Sequence, residues 1–193
     1  MEIFHGRQIT VLQRTIDDLN LENLPATTLR MEGCVLNRVA LANSSLPGLR
    51  LKDVRLAECN LANANAVGLT ALRVELLNCR LTGFQAVESD WQHLLIAGGE
   101  ARYAQFRFAK FKNAQFEGCN FQDADFQGAD LRGAVFKGCN LQNAEMTGVK
   151  LEDADLRGSE VEGLRANAED VKGAIVDPAQ ALIFAGILGL KVR

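Results

Sequence analysis

The sequence predicts an all-β solenoid that ends in one short α-helix, and three observations carry that expectation. Apolar centres recur every five residues, at positions ending in 1 or 6, through thirty-four pentads from Val11 to Val176 without an insertion. Thirteen of the seventeen Gly, from Gly33 to Gly173, stand two residues after a centre. A small residue stands two before it, as at Ala104, Ala109, Ala114, Cys119 and Ala124. A period of five fits neither the 3.6 of a helix nor the 2.0 of a strand, and a helix would scatter the centres around its circumference. A short unit repeated in tandem instead builds the successive sides of a solenoid, each stacked on its neighbours.

Composition agrees with a folded domain. The 193 residues are 48% hydrophobic and 23% charged, with a net charge of −3 that gives no sign of a basic nucleic-acid surface. The opening MEIFHGRQIT has neither a charged nor an apolar leader region, so no signal peptide is expected. AQALIFAGILGL is the longest apolar run and is too short to span a bilayer. Five Cys without CxxC spacing read as reduced thiols, which makes the cytoplasm the expected compartment.

In chain order, residues 1–8 form a lead-in, 9–178 the repeats, and 179–193 a terminal helix and tail. Within the repeats the Gly slot calls for the positive φ that a type II turn needs at its third residue. Asn or Asp before many centres (Asn60, Asn65, Asp90, Asn120, Asp125, Asp130, Asn140, Asp155) adds side-chain to backbone bonding at the turns. From Ala64 to Tyr103 the pattern departs from the ideal. The centres shrink to Ala66, Ala71, Ala86 and Ala101 around Trp91, while Leu69, Phe84 and Leu94 fill small slots, so a bulged or tilted waist is expected. Val67, Leu72, Leu77, Val87 and Leu95 at outward slots mark either a partner surface or a local rearrangement. After Val176, Asp177 suits an N-cap and Pro178 a first turn, and Ala179 to Leu188 reads as an apolar helix stopped by Gly189. The helix is expected to cover the open end of the solenoid. Its surplus apolar residues (Leu182, Ile183, Phe184, Ile187, Leu188, Leu190) suggest a homodimer interface, a cap alone being the other reading.

These residues resemble the pentapeptide repeat family, whose A(D/N)LXX motif stands as ADLRG at 129–133 and again at 154–158. The resemblance implies a right-handed quadrilateral β-helix with four pentads per coil. Thirty-four pentads then make about 8.5 coils, and roughly 4.8 Å per stacked strand makes a rod about 40 Å long. On that reading Cys59, Cys79, Cys119 and Cys139, twenty or forty residues apart with Gly99 in the vacant place, stack as an inward ladder of small apolar thiols. The terminal segment is similar to that of the Qnr and MfpA type, at Gly173, Asp177, Gln180, Ala181, Leu188, Gly189 and Leu190. That similarity implies a dimer through the C-terminal helix and a rod that mimics DNA towards type II topoisomerases (DNA gyrase or topoisomerase IV) and counters quinolones.

Chemistry by side chains finds little footing. Only His5 and His93 exist, with no nucleophile elbow, P-loop or metal spacing, so no enzyme, cofactor, metal or direct nucleic-acid site is expected. The scattered Thr form no column of the kind an ice-binding face needs. Sorted by side, no face sums beyond −3, and Arg102, Arg107, Lys110 and Lys112 form a basic cluster near the waist. Acidic residues gather towards the C-terminal end (Asp123, Asp125, Asp130, Glu145, Glu152, Asp153, Asp155, Glu160) and form the expected partner-binding surface of a mimic. The alternative is a structural or protein-interaction rod with an unrelated partner.

Overall fold

A computed structural model describes residues 3–5 and 8–191. The chain winds into a β-solenoid in which each residue pairs in parallel with the one twenty positions on. One column runs Thr15, Val35, Arg55, Glu75, Leu95, Gln115, Val135, Asp155, Ile175 without a break. Four pentads therefore close one coil, and the rod axis is the direction of hydrogen bonding.

The longest strands, β6 (Arg50–Ala57), β7 (Thr70–Leu77), β8 (Asp90–Ala97) and β9 (Lys110–Glu117), each cover two sides of a coil. They are preceded by β1 (Ile3–His5), β2 (Gln8–Leu12), β3 (Thr15–Asp17), β4 (Thr28–Glu32) and β5 (Val35–Asn37), and followed by β10 (Val135–Lys137). The lead-in pairs antiparallel, β1 on β2, whereas all other strand pairs are parallel. Along β6 to β9 the chain bends at Asp53, Arg73, His93 and Asn113, each with φ of 53–55°. On the two sides centred on Leu61 and Ala66 the residue two after the centre also has positive φ, and the next N–H donates to the centre's carbonyl, as from Ala64 to Leu61 and from Ala124 to Phe121. This is the type II pattern expected at the Gly slot. Eighteen non-Gly residues occupy the same left-handed corner, ten of them Asn or Asp, whose short polar side chains tolerate it. The side chains of Asn60, Asn65, Asn120, Asp125, Asp130, Asn140 and Asp155 accept from the N–H two residues on, whereas Asp90 accepts from the Gln92 side chain instead.

Centres and small residues both point inward and form one continuous core. The expected bulge at the waist does not occur: Thr70 to Leu77 pair with Asp90 to Ala97, and these with Lys110 to Glu117, in unbroken register. The reason is that both inward slots share one interior, so volume is exchanged between them. Leu69, Phe84 and Leu94 are fully buried in small slots because Ala66, Ala71, Ala86 and Ala101 are the neighbouring centres. Trp91 lies over Ala71 and stacks on Phe111 at 6.2 Å and 9°. Its indole N–H donates to Ser89 Oγ (2.7 Å), which donates to the Ala86 carbonyl (2.6 Å). Towards the C-terminus the aromatic centres continue as a packed column, with Phe116 and Phe136 stacked at 4.6 Å. The void beside Trp91 is only about 10 Å³, too small for a ligand.

The thiols stack as expected. Cys59, Cys79, Cys119 and Cys139 are buried and free, and each Sγ donates to the carbonyl of a centre one coil back (Leu36, Leu56, Ile96, Phe116) at 3.2–3.4 Å. Ser159 extends the ladder, its Oγ donating to the Phe136 carbonyl at 3.2 Å. The neighbouring thiol and burial together push Cys79 and Cys139 well above the ordinary thiol range. The ladder is a row of small hydrogen-bond donors in the core.

Candidate functional site

The C-terminal end is built by two residues. Asp177 caps helix α1 (Pro178–Ile187), its carboxylate accepting from the N–H groups of Ala179 and Gln180 (3.0 Å each) and also from Gly158 of the last coil (3.0 Å). Those N–H groups, Gln180 first, hold its carboxyl below the usual range. Gln180, only 4% exposed, accepts from the Asp177 N–H (2.9 Å) through Oε1 and donates through Nε2 to the carbonyls of Leu156 (2.6 Å) and Ser159 (2.7 Å). The helix is thus bolted across the Ser159 carbonyl, which has no further coil to pair with, and the Leu156 carbonyl, which also accepts from the Ser159 N–H. It stops in a Schellman motif: Gly189, at φ 74°, donates to Gly186 O, and the Leu190 N–H donates to Ala185 O.

The six residues expected at a dimer interface divide into two faces. Phe184 is buried, and Ile183 and Ile187 pack against the core beside it. These three plug the rod, which corrects the expectation that Phe184 is available to a partner. A ten-residue helix with apolar residues nearly all round must bury one face on its own chain before any other is free. Leu182, Leu188 and Leu190 point outward, 58%, 53% and 61% exposed.

The acidic set is not one surface. The twenty-residue register distributes it over all four sides: Asp125 and Glu145 on the first, Asp130, Glu152 and Asp153 on the second, Asp155 on the third, and Asp123 and Glu160 on the fourth. Several members are paired. Asp130 holds Arg132 (2.6 Å), Asp155 holds Arg157 (2.7 Å) and Glu145 holds Arg165 (2.8 Å), while Asp123 and Asp125 stand 3.8 Å from Arg102 and Arg107. The guanidinium of Arg132 holds Asp130 below the usual carboxylate range, and that of Arg157 does so for Asp155. Asp130, Glu152 and Asp153 line one open groove together with Lys110, Lys112 and Arg132, so that locus is of mixed sign.

No group of three or more His, Cys, Asp or Glu positioned to hold a metal occurs among the described residues. A groove of about 610 Å³ runs along the corner at Asp53, Arg73, His93 and Asn113, but its charges are consumed internally, Arg73 donating twice to Asp53 (2.5 and 2.8 Å). No helix in the described chain is long and apolar enough to cross a membrane. Of the outward apolar residues at the waist, Val67 is exposed, whereas Leu72, Leu77, Val87 and Leu95 are half-buried between neighbouring coils. The most exposed apolar groups of the rod body were missed by reading centres alone. Tyr103 and Phe108, 52% and 51% exposed, occupy left-handed corners next to Arg102 and Arg107. The signal was an aromatic residue in the slot that Gly, Asn and Asp otherwise fill.

The family model for pentapeptide repeats matches in eight copies, over residues 34–68, 102–138 and 119–158. Over those residues the chain is built of pentapeptide repeats, wound into a parallel β-solenoid. A comparison with curated protein sequences finds no match. Among solved structures, a trypsin-treated form of QnrB1, a plasmid-mediated fluoroquinolone resistance protein, is similar at a TM-score of 0.50 and 18% identity, over 95% of this chain and 98% of that one. HetL, a pentapeptide repeat protein involved in heterocyst differentiation regulation in the cyanobacterium Nostoc, is similar at a TM-score of 0.42 and 16% identity, over 85% and 87% of the two chains. At 18% identity, the likeness of the pentapeptide-repeat rod to QnrB1 is one of fold.

Proposed function

We propose that this pentapeptide-repeat protein is a non-enzymatic rod that dimerises through its C-terminal helix. In this reading the dimer binds a type II topoisomerase, DNA gyrase or topoisomerase IV, as a partial mimic of duplex DNA, modulating it or protecting it from quinolones. The observation that carries the reading is the C-terminal end. Asp177 and Gln180, two residues of the terminal segment that resembles the Qnr and MfpA type, are the ones that bolt α1 to the last coil. The bolted helix leaves Leu182, Leu188 and Leu190 facing away from the rod, a fixed apolar patch suited to a second copy. The fold shared with a fluoroquinolone resistance protein supports the choice of partner.

Titration of the protein into a gyrase supercoiling assay, with and without a quinolone, tests the partner. A change in supercoiling or in quinolone-induced cleavage is expected, and no effect at micromolar protein refutes the reading. Light scattering on the full chain and on a Leu182→Glu, Leu188→Glu variant tests the dimer. The variant is expected to run as a monomer, and retention of the dimer refutes the assignment. A second reading, a protein-interaction rod with an unrelated partner, is favoured by the scatter of the carboxylates over four sides and their pairing with Arg. Recovery of some other protein and no topoisomerase from a native extract selects it.

A further inference from the structure

We propose that the ridge formed by Arg102, Tyr103, Arg107 and Phe108 is a docking site for a protein segment in which a carboxylate stands beside an apolar or aromatic side chain. The proposal does not depend on the topoisomerase reading.

Its first support is conformational. Tyr103 and Phe108 hold φ of 60° and 56°, a region that costs a non-Gly residue roughly 1–2 kcal/mol. In the Phe108 column the corner residues at 48, 68, 128 and 148 are Gly and that at 88 is Glu. A half-exposed ring returns little burial against that cost, and a strained exposed aromatic points from the outlier towards function. The ring is also held in place: it lies across Gly128, where a Cβ would stand 2.6 Å from it.

The second support is the state of the two arginines. Elsewhere on the rod Arg38, Arg73, Arg132 and Arg157 each spend two donors on one carboxylate at 2.5–2.9 Å. Arg102 and Arg107 instead lie over the aromatic rings, 5.2 and 5.8 Å from the centroids of Tyr103 and Phe108. Their nearest carboxylates, Asp123 and Asp125, are 3.8 Å away, beyond direct hydrogen bonding. Arg102 donates to the Tyr103 hydroxyl (3.0 Å), and its buried Nε has no partner. Planar guanidinium groups fixed on aromatic faces with donors unspent are suited to bidentate capture of a carboxylate.

The surroundings choose the partner. On the N-terminal side the columns of Arg102 and Arg107 present Ala62, Thr82, Val67 and Val87, uncharged residues that lead apolar side chains up to the ridge beside Glu88. Arg and Tyr are the residue types that dominate binding energy at protein interfaces. A nucleic acid also stacks on aromatic residues, but it needs a basic track for its phosphates. Lys110 and Lys112 follow the ridge in the same coil, but Glu88 and Asp90 stand in the coil before it and Asp123 and Asp125 in the coil after. The positive charge therefore does not continue along the rod as a track for a polyphosphate chain, whereas a protein carboxylate of single charge fits.

Fluorescence anisotropy of the full chain tests this with three labelled probes: a peptide alternating Asp with Leu and Phe, the same peptide with Lys for Asp, and oligo-dT. Binding of the acidic peptide alone is expected, weakened at least tenfold in Arg102→Gln, Arg107→Gln and equally in Tyr103→Ala, Phe108→Ala. Tyr103, Arg107 and Phe108 are exposed and Arg102 is half-buried, and a melting curve of each variant establishes that it is folded. Absence of binding, equal binding of the Lys peptide, or wild-type affinity in either double variant overturns the proposal. Preference for oligo-dT overturns it in favour of a nucleic-acid surface. None of these results bears on supercoiling, so this proposal and the topoisomerase reading fail separately.

Discussion

Replacing Gln180 by Leu isolates what holds the terminal helix to the rod. The substitution keeps the size and burial of the side chain but removes two donors and one acceptor. The Ser159 carbonyl and the Asp177 N–H lose their Gln180 partner, whereas the Leu156 carbonyl keeps the N–H of Ser159 at 3.1 Å. Leaving a buried backbone group unsatisfied costs about 1–3 kcal/mol, so two such groups, partly offset by the more apolar side chain, destabilise docking by about 3 kcal/mol. At roughly 1.4 kcal/mol per factor of ten, the helix opens about a hundredfold more often. A solenoid loses stability unit by unit, so the effect should remain at its end. Hydrogen exchange read by mass spectrometry is the assay. Peptides covering 178–188 should exchange about a hundredfold faster, while those covering β7 and β8 keep wild-type rates. Acceleration of less than about threefold in the helix, or equal acceleration at the waist, refutes the argument that Gln180 is the bolt.

Other expectations follow from the same geometry. Asp177 has a folded-state pKa below its unfolded value, so its contribution is complete above about pH 4 and fades as pH falls through the depressed value; helix exchange should accelerate over that acid range in wild type and stay level in Asp177→Asn. Gly128→Ala places a Cβ 2.6 Å from the Phe108 ring at φ +67°, whereas Gly118→Ala has open space at φ +58°, so calorimetry should find the first less stable by about 1 kcal/mol more than the strain common to both. Cys139→Ser should cost less than about 1 kcal/mol by chemical denaturation, because Ser159 already makes the equivalent bond one coil on. Trp91→Ala removes a fully buried ring stacked on Phe111 and should cost about 3–5 kcal/mol by the same measurement.

How far the structure is legible in the sequence depends on which slot a residue occupies. Centres such as Leu56 and Phe116 and corners such as Gly83 repeat because each has one acceptable environment, and a period of five exposes them at once. The waist misleads because large and small inward slots are interchangeable: Phe84 in a small slot beside Ala86 reads as a defect in the string, yet only the sum of their volumes matters inside the coil. The terminal helix misleads for another reason. Its residues are apolar nearly all round, so no polar stripe distinguishes Phe184, which enters the rod, from Leu188, which leaves it. The antiparallel pairing of β1 is a matter of backbone bonds and carries no pentad. Tyr103 and Phe108 sit in outward corners, where the fold asks only for positive φ and imposes no side-chain identity.

That last freedom bears on how such a rod binds a partner. The repeats carry a net charge of −5 over a rod of about 40 Å, roughly one charge per 8 Å, whereas duplex DNA carries one per roughly 1.7 Å. The charge density is about a fifth of that of DNA, and Asp130, Glu145 and Asp155 are already spent on Arg. Electrostatic replacement of phosphates cannot then supply most of the affinity for a DNA-binding protein. A partner held by this rod must gain its free energy from fitted shape and from groups that the repeat does not require. Two such sets are on the surface: the outward leucines of the bolted helix, proposed above for a second copy, and the arginine–aromatic ridge, proposed above for a protein segment. Both stand where the pentad leaves the side chain unconstrained, so specificity can be built there without disturbing the core that holds the coils in register.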